Sequence, residues 1–415
     1  MGKKSHQQWS SRRSAVLHVL LFAAAAAAEH EYLYDCPDTA PQKARNDHVP
    51  EYFDYHHDNS IATHLQGEKE QGADEYYTVG FRNSLHGGHH IDYSTYKNMA
   101  RDFRAEIFGN ELKDGDVIYE GAGAEGMNLL MTLEILHEER GIKNLVAYGS
   151  DYLNEFVSLA NKLWDVQSRA NGDWLKRGRY CQGDSTNLHF VPSDTFDLAY
   201  TYVDVLIDGQ GIFDDDVGDD ERCDRMKDLC DSDDPNDVAI IDKDQLMQEE
   251  WHAEWVSEMI RIVKPGKLVV IENVCLPLCL GETPWGGVDL DWWSRAAVEY
   301  EWDVDIESIQ LFQSWFGDAY TVAMRKKKGD GPDRVDEQED AGAKVAQESD
   351  LSKLHELKPG DDLAVASRNN DNEENEDHSG DESDENEEDD EEYVEPERSF
   401  SKLMMKVRTH PDREL

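Results

Sequence analysis

From residue 94 onward, apolar positions alternate between helical and extended spacing. Ser94 to Phe108 places Tyr96, Met99, Phe103 and Ile107 on one helical face. Val117 to Tyr119 is a short apolar strand, and Met127 to Arg140 carries Leu130, Leu133 and Leu136 at helical spacing before Gly141 stops it. The alternation continues through a strand at Asn144–Tyr148, a helix at Leu153–Leu163 and a short strand holding Tyr180 and Cys181. A fourth strand follows at Phe196–Val203. Met247, Trp251, Trp255, Met259 and Ile262 mark the apolar face of a long helix. Lys264-Pro265-Gly266 ends it, and Lys267 to Glu272 reads as a buried fifth strand. Trp292, Trp293 and Trp302 lie in or near a further helical stretch. Ser308–Gln313 and Ala319–Met324 then read as two strands joined by a short link, Ser314 to Asp318. Regular helix–strand alternation predicts an α/β domain with a mostly parallel sheet, closed by an antiparallel strand pair.

The rest of the 415 residues departs from this pattern. Residues 1–28 combine Lys3, Lys4, Arg12 and Arg13 with an apolar run from Ala15 to Ala28 and no acid before Glu29. This composition fits a cleaved secretory signal, with an organellar transit peptide as the alternative. The run is too short to span a bilayer comfortably, and no other run in the chain approaches that length. Residues 29–94 form a polar N-terminal extension of weak periodicity. Its His86, His89 and His90 flank a Gly-Gly turn without a carboxylate at helical ligand spacing, so a loop is expected there rather than a metal centre.

Charge is distributed just as unevenly. Of the formal net charge of −49, residues 204–250 supply 18 acids against 4 bases, and residues 330–415 supply 30 against 10. Without a basic stripe, a nucleic-acid partner is not expected. The segment 208–244 reads as an acidic insert. Within it, Asp231, Asp233, Asp237 and Asp242 fall on calcium-loop spacing, but Pro235 and Asn236 stand where that loop needs a ligand and a glycine. Residues 328–415 read as a disordered acidic tail, suited to basic partners or cations. Six cysteines permit disulfides in an oxidising compartment. Cys223 and Cys230 could close a small loop, and plain burial is expected for Cys275 and Cys279.

The chemistry concentrates in Glu120-Gly121-Ala122-Gly123-Ala124-Glu125-Gly126, between the first strand and its helix. Small residues at a strand–helix turn let a ligand approach the backbone and the free N–H groups of the helix start. Glycines 121, 123 and 126 spell the dinucleotide fingerprint G-x-G-x-x-G. A carboxylate at residue 120 would repel a pyrophosphate and attract an ammonium or sulfonium. Counted from Glu120, the alternating small positions are Ala122, Ala124 and Gly126. In that register the stretch resembles motif I of class I S-adenosylmethionine (SAM) methyltransferases, of the type-11-like group, which usually carry glycine at all three. Further matches follow in order: Asp151 after the second strand, Gly183-Asp184-Ser185 after the third, Phe196-Asp197-Leu198 opening the fourth, and Lys264-Pro265-Gly266 before the fifth.

The resemblance covers residues 95–325 and implies a Rossmann-like, doubly wound sheet in a domain spanning 95–327. It implies SAM as cofactor, with Glu120, Gly121, Ala122, Gly123 and Gly126 at the methionine end. Asp151 would meet the ribose, and Asp184 with Ser185 the adenine. The methyl acceptor, expected to be a small molecule, would meet Thr201, Tyr202 and Asp204 beyond the fourth strand. A methyltransferase-fold binding protein without turnover is the first alternative, and an NAD(P)-dependent oxidoreductase the second. The expected location is the secretory pathway.

Overall fold

The computed structural model describes residues 32–38, 51–83, 92–201, 228–280, 287–315, 319–328 and 356–357. All of them lie in the first of the chain's two units, residues 1–371. Helices α1 (Glu51–Gln71) and α2 (Ala73–Thr78) and a 3-10 turn (Gly80–Asn83) precede α3 (Tyr93–Glu111). Then follow β1 (Val117–Gly121), α4 (Met127–Arg140), β2 (Leu145–Asp151), α5 (Asn154–Ala170), β3 (Leu175–Gln182) and β4 (Phe196–Thr201). The described part closes with α6 (Pro235–Ile262), β5 (Val263–Val274), α7 (Trp292–Glu299), β6 (Val304–Gln313), β7 (Tyr320–Lys326) and β8 (Glu356–Leu357).

One sheet runs in the order β3-β2-β1-β4-β5-β7-β6-β8. The first five strands pair in parallel, and β7 and β6 close the sheet antiparallel, as the alternation predicts. Strand order reverses between β1 and β4, which opens a crevice at their carboxyl ends. Apolar layers cover both faces. Phe103 and Phe108 of α3, Leu130 and Leu133 of α4 and Leu163 and Trp164 of α5 pack with Ile118 on one side. Trp255 and Met259 of α6 and Trp293 of α7 pack with Tyr119, Phe196 and Tyr320 on the other.

Local chemistry sets the helix ends. Asp92 caps α3 by accepting from the Ser94 and Thr95 N–H groups at 2.9 Å each. Left-handed glycines, Gly126 and Gly141, bracket α4. Asp234 caps α6, with Pro235 in its first turn.

Several expectations need correction. Helix α6 begins at Pro235, so the end of the expected 208–244 insert, including Asp237 and Asp242 of the calcium-loop spacing, is helical. Residues 202–227 lie outside the described residues. Met99 is 37 % exposed, off the buried face of α3. Strand β5 starts at Val263 and runs through the Lys-Pro-Gly turn, where Gly266 takes φ +78° and the β4–β5 register shifts. The N-terminal extension is helical over much of 51–83 and packs on α5: the Gln167 amide donates to the Tyr77 carbonyl at 2.6 Å. Of the expected tail, residues 356–357 form the edge strand β8 on β6.

The disulfides also differ. Cys230 pairs with Cys279 and Cys36 with Cys181. Pairing of Cys230 with Cys279 overturns both the Cys223–Cys230 loop and plain burial of Cys279. The strap at 32–38 lies against the β3 end of the sheet. The Tyr34 ring is buried against Tyr148 and Phe196, and the Arg179 guanidinium sits 4.8 Å from the Tyr32 ring centroid.

Candidate functional site

One row of residues crosses the sheet just below the glycine loop. Tyr180 on β3 pairs with Gly149 on β2, Gly149 with Glu120 on β1, and Glu120 with Tyr200 on β4. Because residue 149 lacks a side chain, the Tyr180 ring lies across β2; a Cβ there would come within 2.6 Å of the ring. The Tyr180 hydroxyl therefore reaches Glu120 and donates to Oε2 at 2.6 Å. The Asn128 amide, in the first turn of α4, donates to Oε1. Glu120 is 1 % exposed, and burial pushes its carboxyl up to about 7 against the lowering effect of these donors.

The loop above it settles the register. Ala122, Ala124 and Gly126 take left-handed φ values of 51°, 42° and 76°, whereas Gly121 and Gly123 do not. The positions that favour glycine are thus the alternating ones counted from Glu120. Gly123 has a different reason to be glycine: a Cβ there would meet Glu120 Oε2 at 2.6 Å and the Tyr180 hydroxyl at 2.9 Å. The loop is held by Gly123 N–H donating to the Ser150 carbonyl at 3.0 Å and Ala124 N–H donating to Asp151 Oδ2 at 2.9 Å.

Asp151, at the end of β2, also accepts from the Leu153 N–H at 2.9 Å. Its carboxylate bridges the loops after β1 and β2. It does not cap α5, whose N-cap residue is Leu153. Burial raises its carboxyl to about 6. Asp184 accepts from both the Thr186 N–H at 2.9 Å and the Thr186 hydroxyl at 2.7 Å, a local turn, with half-buried Ser185 beside it. Thr201 ends β4 fully buried, paired with Gly121. Tyr202 and Asp204 lie outside the described residues, as do His86, His89 and His90.

Beneath the crevice, polar groups absent from the sequence reading continue the row. The Tyr200 hydroxyl lies 3.0 Å from the Thr132 hydroxyl. Arg104 of α3 donates to that hydroxyl at 2.7 Å and to Glu272 Oε2, at the end of β5, also at 2.7 Å. Arg104 and Glu272 are both fully buried. On the other side of the loop, Glu125 faces His64 of α1 at 3.9 Å, and His64 Nδ1 lies 2.8 Å from the Tyr76 hydroxyl. Asp244, Gln248 and His252 are buried at successive four-residue steps along α6. Their spacing was readable in the sequence, but the tryptophans of the same helix dominated its face. Asn128 and Thr132 sit inside a strongly apolar helix and Glu272 at the end of an apolar strand, so each was visible as an exception to its own pattern.

The donor set fits a ligand with cationic groups. Buried carboxyls surround a backbone cradle that only glycine leaves open at residue 123. Among the described residues there is no group of His, Cys, Asp and Glu that could hold a metal ion.

No protein-family profile and no curated protein matches the chain. Solved structures similar to it include a TehB-like SAM-dependent methyltransferase from Corynebacterium glutamicum, at 16 % identity and TM-score 0.32, covering 61 % of this chain and 98 % of that one. A putative class I SAM-dependent methyltransferase from Listeria monocytogenes matches at 15 % identity and TM-score 0.34, covering 68 % and 89 %. Magnesium protoporphyrin IX methyltransferase from Synechocystis, solved with S-adenosylhomocysteine, matches at 9 % identity and TM-score 0.35, covering 63 % and 100 %. These overlays are loose; the strand order and the loop register carry the reading that follows.

Proposed function

We propose that the chain is a SAM-dependent methyltransferase acting on a small-molecule acceptor. The observation that carries this reading is the coincidence of left-handed backbone at residues 122, 124 and 126 with a buried carboxyl at Glu120. Glu120 and the backbone of Gly121, Ala122, Gly123 and Gly126 hold the methionine end. The Asp151 oxygens accept backbone N–H groups, Ala124 on one and Leu153 on the other, and a carboxylate with about four lone-pair sites can also accept a ribose hydroxyl. Asp184 and Ser185 flank the adenine. When bound, SAM supplies an electrophilic methyl group on its sulfonium, so the protein's part is to orient the acceptor and exclude water. The acceptor meets the end of β4, at Thr201 and the following Tyr202 and Asp204.

Secretion-pathway residence is proposed on the signal-like N-terminus together with two disulfides. The acidic tail is proposed to engage basic partners or cations, and nucleic acid is not proposed as a partner. A second reading, a methyltransferase fold that binds without turnover, is favoured by alanine at two positions that disfavour any side chain. An NAD(P) site is disfavoured, since Gly121 and Gly123 show no left-handed conformation and Glu120 would repel a pyrophosphate.

Thermal unfolding with SAM, S-adenosylhomocysteine and NAD(P) tests the assignment. Ligand at 100 times its dissociation constant stabilises by about 2.7 kcal/mol. Stabilisation by NAD(P) alone, or by neither adenosyl ligand at millimolar concentration, overturns it. Mass-spectrometric detection of methylated product from candidate acceptors separates the enzyme from the binding protein.

A further inference from the structure

Four carboxyls are buried around the glycine loop: Glu120, Glu125, Asp151 and Glu272, at 1, 5, 9 and 0 % exposure. Among the described residues one guanidinium, Arg104, is buried with them, and it is committed to Glu272 at 2.7 Å. Glu125 faces His64 from α1, and Asp151 is held by backbone N–H groups. Among the described residues the direct partners of Glu120 are neutral: Tyr180 from β3, Asn128 from α4 and the Tyr200 hydroxyl of β4, which also lies beside Asn128. From α3, Arg104 acts on it only at longer range. Gly123 alone separates this carboxyl from whatever lies on the loop, since a Cβ at that residue would touch Oε2. A buried carboxyl with neutral partners keeps its proton more readily than one in water, and a cation brought near it expels that proton.

We propose that the sulfonium of the cofactor expels a proton from Glu120 on binding, so that the cofactor releases more proton than the thioether product does. This inference rests on the SAM reading above and deepens it. Binding breaks the O–H bond of the Glu120 carboxyl, the electron pair stays on the carboxylate, and the proton leaves to buffer. SAM carries one more positive charge than S-adenosylhomocysteine, and the two share the same ammonium, ribose and adenine, so the sulfonium is the cationic difference between them. Contributions from groups that meet these shared parts are common to both ligands, and the difference between the ligands isolates Glu120. The site would then favour cofactor over product increasingly as pH rises through neutrality, which aids product release after methyl transfer. The raised carboxyl of Glu120 agrees with this arrangement.

Calorimetric titration of the full chain with SAM and with S-adenosylhomocysteine, at pH 6, 7 and 8 in buffers of different ionisation enthalpy, counts the protons. SAM should release about half a proton or more at pH 7 and gain about tenfold in affinity from pH 6 to pH 8. S-adenosylhomocysteine, which brings only the shared ammonium, should show clearly less of both effects. Glu120→Gln should abolish the release. Should that variant fail to fold, Tyr180→Phe removes a donor that favours the ionised form and should move the pH window upward. Equal proton release for the two ligands, or release unchanged in either variant, overturns the proposal while leaving the cofactor assignment standing. Binding of neither ligand at any pH overturns both.

Discussion

The Tyr180 hydroxyl meets the Glu120 carboxyl at 2.6 Å by reaching across a whole strand, over the one residue, Gly149, that leaves room for its ring. Gly149→Ala would press a methyl group to 2.6 Å from that ring. The expected cost is about 1–3 kcal/mol, as for other overpacked sites. Urea denaturation measures it, and wild-type stability would show that the ring can sit elsewhere.

Two glycines of the loop should respond oppositely to alanine. At Gly121 the nearest atom to an added Cβ is Met259 Sδ at 3.4 Å, ordinary contact, so Gly121→Ala should change stability by less than about 1 kcal/mol. At Gly123 the Cβ meets Glu120 and Tyr180 below 3.0 Å, so Gly123→Ala should be destabilising and should weaken SAM binding. Equal behaviour of the two variants in thermal unfolding would contradict the loop geometry.

Ala122 and Ala124 sit in the left-handed region. An L-residue pays about 1–2 kcal/mol there, and glycine brings back about 0.5–1 kcal/mol through unfolded-chain entropy. Ala122→Gly and Ala124→Gly should therefore leave stability level or raise it by up to about 1 kcal/mol each. A clear loss on chemical denaturation would mean that the methyl groups make contacts worth more than the strain.

Burial raises both Glu120, to about 7, and Asp151, to about 6. In this range the folded state holds more protons than the unfolded chain, so each group lowers stability as pH rises from its unfolded value toward its folded one. For Glu120 the window is about pH 4.5 to 7 and the loss is on the order of 3 kcal/mol. Glu134 and Asp197 shift downward and act in the opposite direction. The measurement is consequently the difference between wild type and Glu120→Gln, denatured at pH 4.5, 6 and 7.5. That difference should grow in favour of the variant as pH rises; a flat difference would place the group's titration outside the window.

Arg104 and Glu272 form a wholly buried ion pair. Arg104→Met alone should cost about 3–5 kcal/mol, because it strands a buried carboxylate. The double variant Arg104→Met with Glu272→Met should cost less than the sum of the singles. Additive losses in a denaturation cycle would show that the two groups stabilise the fold independently.

The fold was legible because its strands and helices bury whole faces: Leu130, Leu133 and Leu136, or Val269 to Ile271, can be read from spacing alone. The register of the glycine loop was legible as two competing patterns, and backbone torsions at residues 122, 124 and 126 decide between them. What could not be read depends on contacts between distant segments. The Cys36–Cys181 bond spans 145 positions, and no spacing rule reaches that far. Tyr180 looked like an ordinary strand residue until the sheet placed Gly149 beside it. Asp151 is expected at the ribose, and its oxygens also tie together two separate loops, which no sequence spacing announces. For the same reason Asp151→Asn, which turns one acceptor into a donor facing an N–H group, should cost about 1–3 kcal/mol of stability as well as affinity.

The bond from Cys36 to Cys181 makes everything from the strap to the third strand a closed covalent ring. A protease that cuts anywhere in that span, including the 39–50 stretch, nicks the ring without releasing a piece. The cut molecule keeps its full mass until a reductant opens the ring. Digests of this protein therefore give different fragment maps with and without thiol. The comparison also reports on the compartment that supplied the sample, since the pieces of a nicked chain made under reducing conditions separate on denaturation without any thiol.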